Sequence, residues 1–141
     1  RSVLEQKSAE LELSKKVLFT GQQHNPEDWM RAMDVFCLPS YANEGVPQAL
    51  MQAMFTGLPV ISTPVGAITE IIGDGRTGLI VPPQDTRALA ENIARLLADR
   101  DLARRLGVAA RTEAVVRFGY ELMTSRMETS FRNTITRRKS A

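Results

Sequence analysis

A glutamate, a glycine and a proline directly precede a helix-forming segment in the stretch EGVPQALMQ, which runs from Glu44 to Gln52. Pro47 fits the first position of a helix, where its missing N–H costs nothing. The free end of such a helix offers backbone N–H donors and a positive dipole end to an anion. The stretch therefore predicts a site for a phosphorylated small molecule, with Glu44 beside it to hold whatever the anion carries.

A simpler interpretation exists for both polar ends of this stretch. A carboxylate at Glu44 near a helix N-terminus stabilises the helix by about 0.3–1 kcal/mol and needs no ligand. Gln52 lies four residues from Gln48 and from Thr56, so it fits a polar stripe on the surface of the helix. Taken alone, the local residues favour this simpler interpretation for both Glu44 and Gln52.

Short β-branched runs alternate with helix-length segments along the chain, which predicts an α/β fold, a Rossmann-like parallel sheet flanked by helices. The predicted strands are residues 17–19, 35–38, 60–62 and 79–81. The first predicted helix carries Val3, Leu4, Leu11 and Leu13. Further helices are predicted from Pro26, over 47–56, over 68–72, from Asp85, and around 100–117 and 121–136. Ligands gather at the carboxyl ends of parallel strands, so the loop after Leu38, which holds Glu44, is the richest candidate.

Composition limits the remaining possibilities. With 141 residues and 43% apolar content, we expect one domain over residues 1–141 that ends in a helix and basic tail from about residue 121. The 6% aromatic content does not support a nucleic-acid surface, and Cys37 in an apolar run is expected in the core of a cytoplasmic protein. Asp99-Arg100-Asp101 lies between two helices, so we predict no metal and no cofactor.

The stretch from Pro39 to Pro83 resembles the carboxy-terminal, donor-binding domain of family 4 retaining glycosyltransferases, which have the GT-B fold. The positions that follow the family pattern in order are Glu44, Gly45, Ala53, Met54, Gly57, Pro59, Val60, Gly66, Glu70, Gly78 and Leu79. The resemblance extends from the first helix to about Tyr120. It implies an enzyme that transfers a sugar from a nucleoside diphosphate to a glycan or lipid-linked acceptor in surface polysaccharide synthesis.

The resemblance also implies roles for individual residues. Glu44 is the expected catalytic residue and contacts hydroxyls of the donor sugar, while Gln52 replaces the glutamate that holds the nucleotide ribose in the family. The other expected donor contacts are Gly45, Val46, Gln48, Ala49, Gly66 and Glu70, and Gln22 and His24 are weaker candidates for the nucleobase. Gly66 has no side chain to obstruct a ligand that approaches its loop at a strand end. Glu70 could instead cap its helix or pair with Arg76. The nucleotide sugar is a substrate in this scheme.

The family pattern further implies that two strands of the sheet, with an Arg and a Lys of the diphosphate site, lie upstream of Arg1. An amino-terminal GT-B domain with the acceptor site is the expected partner, so we expect the isolated chain to be inactive. Because the two strands would be missing from its sheet, we expect the isolated chain to be marginally stable, to oligomerise or to rearrange its sheet. Three alternatives remain: a non-catalytic nucleotide-sugar-binding module, a nucleotide-sugar epimerase of the same fold, and a structural fragment whose Glu44 only caps a helix. The tail at Arg137, Arg138 and Lys139 leaves contact with an acidic membrane surface open.

Overall fold

The computed structural model describes residues 1–42 and 44–139, with side chains up to residue 136, so the basic tail lies outside the described side chains. Helices and strands alternate through most of this part of the chain. In order they are α1 (Ser2–Glu10), α2 (Pro26–Arg31), β1 (Phe36–Leu38), α3 (Gln48–Thr56), β2 (Val60–Ser62), α4 (Ile68–Ile71), β3 (Leu79–Ile80), α5 (Thr86–Ala98), α6 (Arg100–Phe118) and α7 (Tyr120–Lys139).

The strands form a parallel sheet in the order β1-β2-β3. Leu38 pairs with Ser62, and Ser62 pairs in turn with Ile80, so the carboxyl ends of the strands meet at one edge. α3 connects β1 to β2, and α4 connects β2 to β3. This arrangement confirms the predicted α/β architecture and brings the loops after β1 and β2 together.

The strand predicted at residues 17–19 is wrong. These residues have no regular structure, and the side chain of Leu18 is 76% exposed. A strand forms only where its backbone groups have a neighbouring strand to bond, and β1, at the edge of the described sheet, pairs with β2 alone. Residues 17–19 have the composition of a strand, but they pair with no other strand among the described residues.

Two apolar cores cover opposite faces of the sheet. Successive residues of β2, Val60 and Ile61, are both fully buried but point to different faces. The α3-side core contains Val60, and the α5-side core contains Ile61. α6 contributes to both, because Ala110 and Ala114 belong to the α3-side core, whereas Leu102, Ala103 and Leu106 belong to the α5-side core.

α3 ends where a left-handed residue is required. Gly57 has a φ of 80°, its N–H donates to the Met54 carbonyl, and the N–H of Leu58 donates to the Ala53 carbonyl. α6 packs closely at this point, since a β-carbon on Gly107 would overlap the carbonyl oxygen of Gly57. The close approach of the two backbones fixes α3, and therefore its N-terminus, against α6.

Several apolar side chains of the first two helical segments remain uncovered. Val3 and Leu4 of α1 are 73% and 61% exposed, and Trp29 of α2 is 39% exposed. Within the described residues, α1 therefore packs little of its apolar surface. The marginal stability expected of the isolated chain stays a prediction, and these uncovered side chains are one reason for it.

Candidate functional site

The N-terminus of α3 opens at the carboxyl edge of the sheet. Pro47 is the N-cap rather than the predicted first helical residue, because its ψ of 114° is extended. The first helical bond runs from the Met51 N–H to the Pro47 carbonyl, at 3.2 Å between nitrogen and oxygen. The amides of Gln48 and Ala49 precede that bond and have no acceptor within the helix, and the first turn holds no acidic residue. An anion at this end meets donors and no opposing carboxylate of the helix itself.

Glu44 is half-buried beside this helix end and is held from two directions. The hydroxyl of Ser40 donates to Oε1 of its carboxylate at 2.7 Å. Its backbone carbonyl accepts from the N–H of Ala67 at 3.2 Å. The first contact comes from the loop after β1 and the second from the loop after β2, so both strand ends contribute to the position of Glu44.

Gly66 permits the contact between these two loops. Its φ is 55°, and a β-carbon at this position would overlap the carbonyl oxygen of Glu44. The sequence suggested that the glycine leaves room for a ligand. The structure provides a different reason, because the backbone of Glu44 itself occupies the space.

The expected donor residues divide into two groups. Gly45, Val46, Gln48, Ala49 and Gln52 are all exposed in the loop and in the first two turns of α3. Among the described residues other than its chain neighbours, no atom lies within 4 Å of where a β-carbon on Gly45 would be. The structure thus brings Glu44, Gly66 and the start of α3 together.

Glu70 and the two nucleobase candidates do not join this cluster through a described hydrogen bond. Glu70 is exposed on α4, and its backbone carbonyl accepts from Arg117 on α6 at 2.9 Å. The sequence suggested Arg76 as a partner of Glu70, but Arg76 pairs with Glu113. Gln22 and His24 are exposed in the loop before α2.

Glu113 pairs with two arginines from different parts of the chain. Arg76 donates to its carboxylate at 2.9 Å and Arg117 at 3.0 Å. These hydrogen bonds, first that of Arg76, hold the pKa of Glu113 below its usual value and raise that of Arg76. The guanidinium of Arg117 also lies 5.0 Å from the ring centre of Phe118. The cluster links the segment before β3 to the end of α6.

Two other residues considered in the sequence have structural roles. The carboxylate of Asp99 accepts from the N–H of Leu102 at 2.8 Å and so caps α6. Cys37 lies half-buried in β1 beside the α5-side core, and burial raises the pKa of its thiol. In the described part of the chain, no three His, Cys, Asp or Glu side chains are grouped closely enough to hold a metal ion. No helix there is both long and apolar enough to cross a bilayer.

Three hydroxyl residues at the edge of the sheet were not predicted as part of the site. Ser40 follows β1 and binds Glu44, while Ser62 and Thr63, at the end of β2, are almost completely buried. A signal was present, because Ser62 ends an apolar strand, Thr63 directly follows it, and Ser40 lies two residues after the end of another. A buried hydroxyl at that place needs a hydrogen-bond acceptor.

Comparisons with known proteins agree with this architecture. Residues 1–99 match the family model described as Glycosyl transferases group 1. The chain is 38% identical over 101 residues to the lipopolysaccharide core biosynthesis mannosyltransferase LpsB of Rhizobium meliloti (strain 1021). The matched region covers 70% of this chain and 28% of LpsB. It spans about a third or less of the length of the first curated relatives that it matches.

Two solved structures show the same fold. Sucrose-phosphate synthase from Thermosynechococcus elongatus superposes with a TM-score of 0.89 at 34% identity, over 96% of this chain and 34% of that chain. HepE from Anabaena, solved in complex with UDP-glucose, superposes with a TM-score of 0.90 over 94% of this chain and 36% of that chain. At 23% identity, the likeness to HepE concerns the fold alone. Both superpositions confirm the predicted fold class.

Proposed function

Because this chain belongs to the group 1 glycosyl transferases, we propose that it is the donor-binding part of a retaining glycosyltransferase. Its donor is a nucleoside-diphosphate sugar, and its acceptor is a glycan or a lipid-linked sugar in surface polysaccharide synthesis. One observation carries the proposal: Ser40 holds the carboxylate of Glu44 in the loop that leads into the open N-terminus of α3, at the carboxyl edge of the sheet. This combination suits a ligand with an anionic end and a hydroxyl-rich end.

The two ends of the donor match the two parts of the site. The amides of Gln48 and Ala49 supply donors for the diphosphate, whose negative charge grows as the sugar leaves. In the described part of the chain, the Ser40 hydroxyl is the one hydrogen-bond donor to the Glu44 carboxylate, which has further lone pairs that can accept hydrogen bonds from the sugar. We propose Gln52, one turn further along α3, as the contact to the ribose.

The nucleotide is proposed from the relatives. The HepE structures contain UDP and UDP-glucose, and the LpsB name describes a mannosyltransferase. UDP, GDP and their sugars are therefore the first probes for this chain. We further propose that another domain of the full-length protein supplies the acceptor site, that no metal takes part, and that the protein acts in the cytoplasm.

Calorimetric titration of the full-length protein with UDP-glucose, GDP-mannose and the free diphosphates tests donor binding. Hydrogen bonds to a charged group contribute about 1.5–3 kcal/mol, so Glu44→Ala should weaken the preferred nucleotide sugar about tenfold to a hundredfold. Glu91→Ala is the matched control, because Glu91 is an exposed helical carboxylate paired with Arg87 on α5. The donor-site proposal is wrong if no nucleotide sugar binds, or if Glu44→Ala binds as tightly as the parent.

The stereochemistry requires a separate measurement. Proton NMR of the product, taken before it equilibrates, reports whether the anomeric configuration of the donor sugar is kept. Inversion would refute the retaining mechanism and leave glycosyl transfer intact. Donor consumption without acceptor would point to another chemistry of the same fold, such as epimerisation.

One observation favours a second candidate, a binding module without turnover. Gln52 is exposed where the family resemblance expects a carboxylate, and its amide offers one acceptor oxygen instead of two. A module of this kind binds the nucleotide sugar without transferring it. Incubation of the full-length protein with labelled donor and a polysaccharide acceptor fraction separates the two, because only the enzyme incorporates label.

A further inference from the structure

Two buried hydroxyls tie the loop after β1 to the end of β2. Ser62 is fully buried, and its hydroxyl donates to the Leu38 carbonyl at 2.7 Å. Thr63 is 1% exposed, and its hydroxyl donates to the Ser40 carbonyl at 2.5 Å. Both acceptors lie just where β1 ends, so the side chains continue the pairing of the strands after the backbone ladder has stopped.

Ser40 lies between this connection and Glu44. Its carbonyl is held by Thr63, and its own hydroxyl donates to the Glu44 carboxylate at 2.7 Å. A serine hydroxyl has a single proton to donate, so this proton is committed to Glu44. The Thr63 carbonyl in turn accepts from the N–H of Val65 at 2.9 Å, in the loop whose Ala67 binds the Glu44 backbone. The contacts form a closed path from β2 to the carboxylate and back.

We propose that Ser40 and Thr63 are positioning residues for the donor sugar: Thr63 fixes Ser40, and Ser40 fixes the carboxylate of Glu44. This inference rests on the proposed donor function of Glu44. A glutamate has three rotatable side-chain bonds, and a free one loses rotamer freedom when it binds a ligand. Here the Ser40 hydroxyl restricts the carboxylate before the sugar arrives, which lowers the cost of binding. The benefit should be confined to the sugar, because the diphosphate meets the amides of α3.

Calorimetry on the full-length protein tests this with a double-mutant cycle that combines Ser40→Ala and Glu44→Ala. The probes are the nucleotide sugar that the parent binds and its free nucleoside diphosphate. Ser40→Ala should weaken the nucleotide sugar about three- to tenfold and the free diphosphate less than about twofold. In the Glu44→Ala background, Ser40→Ala should cause no further loss, because its effect passes through the missing carboxylate.

Thr63 provides the second arm of the experiment. Thr63→Val removes the hydroxyl at nearly constant shape and should reproduce the selective loss of nucleotide-sugar affinity. Thr63→Ser keeps the hydroxyl and should bind the nucleotide sugar as tightly as the parent does. Thermal melts of both variants show whether the fold is retained.

The possible failures are distinguishable. If the parent binds no nucleotide sugar, the proposed function and this inference both fall. If Glu44→Ala weakens the sugar nucleotide but the losses from Ser40→Ala and Glu44→Ala add, only the positioning role is refuted. Equal losses for the nucleotide sugar and the free diphosphate in Ser40→Ala, together with a lower melting temperature, would assign Ser40 a structural role alone.

Discussion

Replacing Gly66 by alanine should disrupt the contact between the two loops of the site. The φ of 55° is left-handed, which costs an alanine about 1–2 kcal/mol. The added β-carbon would also lie 2.8 Å from the backbone carbon and nitrogen of Glu44, so that backbone must move. The hydrogen bond from Ala67 to the Glu44 carbonyl is then lost, at about 1 kcal/mol. Together these costs should lower the free energy needed to open this contact locally by about 2–3 kcal/mol.

Hydrogen–deuterium exchange of the full-length protein measures that opening directly. A cost of about 2–3 kcal/mol corresponds to exchange about 30- to 150-fold faster at the Ala67 amide. Gly75→Ala is the matched control, because Gly75 has a φ of 69° and, apart from its chain neighbours, no described residue has an atom within 4 Å of its β-carbon position. It carries the conformational cost without the overlap. Similar local destabilisation in both variants, with unchanged nucleotide-sugar affinity for Gly66→Ala, would refute the reasoning.

Four further outcomes are expected. Gln52→Glu should tighten nucleotide-sugar binding about fivefold by calorimetry, because a charged acceptor adds about 1 kcal/mol over a neutral one; unchanged affinity would remove the ribose contact. Glu113→Gln should be less stable than the parent at neutral pH, because folding lowers the pKa of Glu113. The difference in melting temperature should begin to shrink near pH 4.3, about the ordinary glutamate pKa, and should vanish once the pH falls through the lower pKa of folded Glu113. Gly107→Ala should lower stability by about 1–3 kcal/mol in urea unfolding, since its β-carbon would overlap the Gly57 carbonyl; a change within error would mean that the helices move apart freely. The isolated chain should melt below about 60 °C by circular dichroism, because apolar side chains of α1 and α2 are uncovered.

The helices and the sheet around the site could be predicted from the sequence because their signals are local. Pro47 is the N-cap of α3 and Gly57 is its C-cap. Asp85 caps α5 because its carboxylate accepts a hydrogen bond from the Ala88 amide. The strand predicted at 17–19 failed because apolar composition does not show whether a strand has a neighbour to bond. Pairing is a property of the sheet and not of the segment.

The position of the site could be predicted from the sequence, but most of the hydrogen bonds within it could not. Glu44 and the start of α3 were found because both fall within nine residues. The contacts of Glu44 to Ser40 and Ala67 depend on the two loops meeting in space, which no local pattern shows. Gly66 was selected for a ligand it was expected to accommodate, although its conformation serves the backbone of Glu44.

The position of α6 has a consequence for how this chain comes apart. One helix packs its first half on one face of the sheet and its second half on the other. Neither core can therefore open alone without removing side chains that the other core needs, so unfolding should be cooperative across the sheet. A chain shortened to end after α5 would lose part of both layers at once. Domain dissection or permutation of this protein should keep residues 100–118 continuous with the sheet.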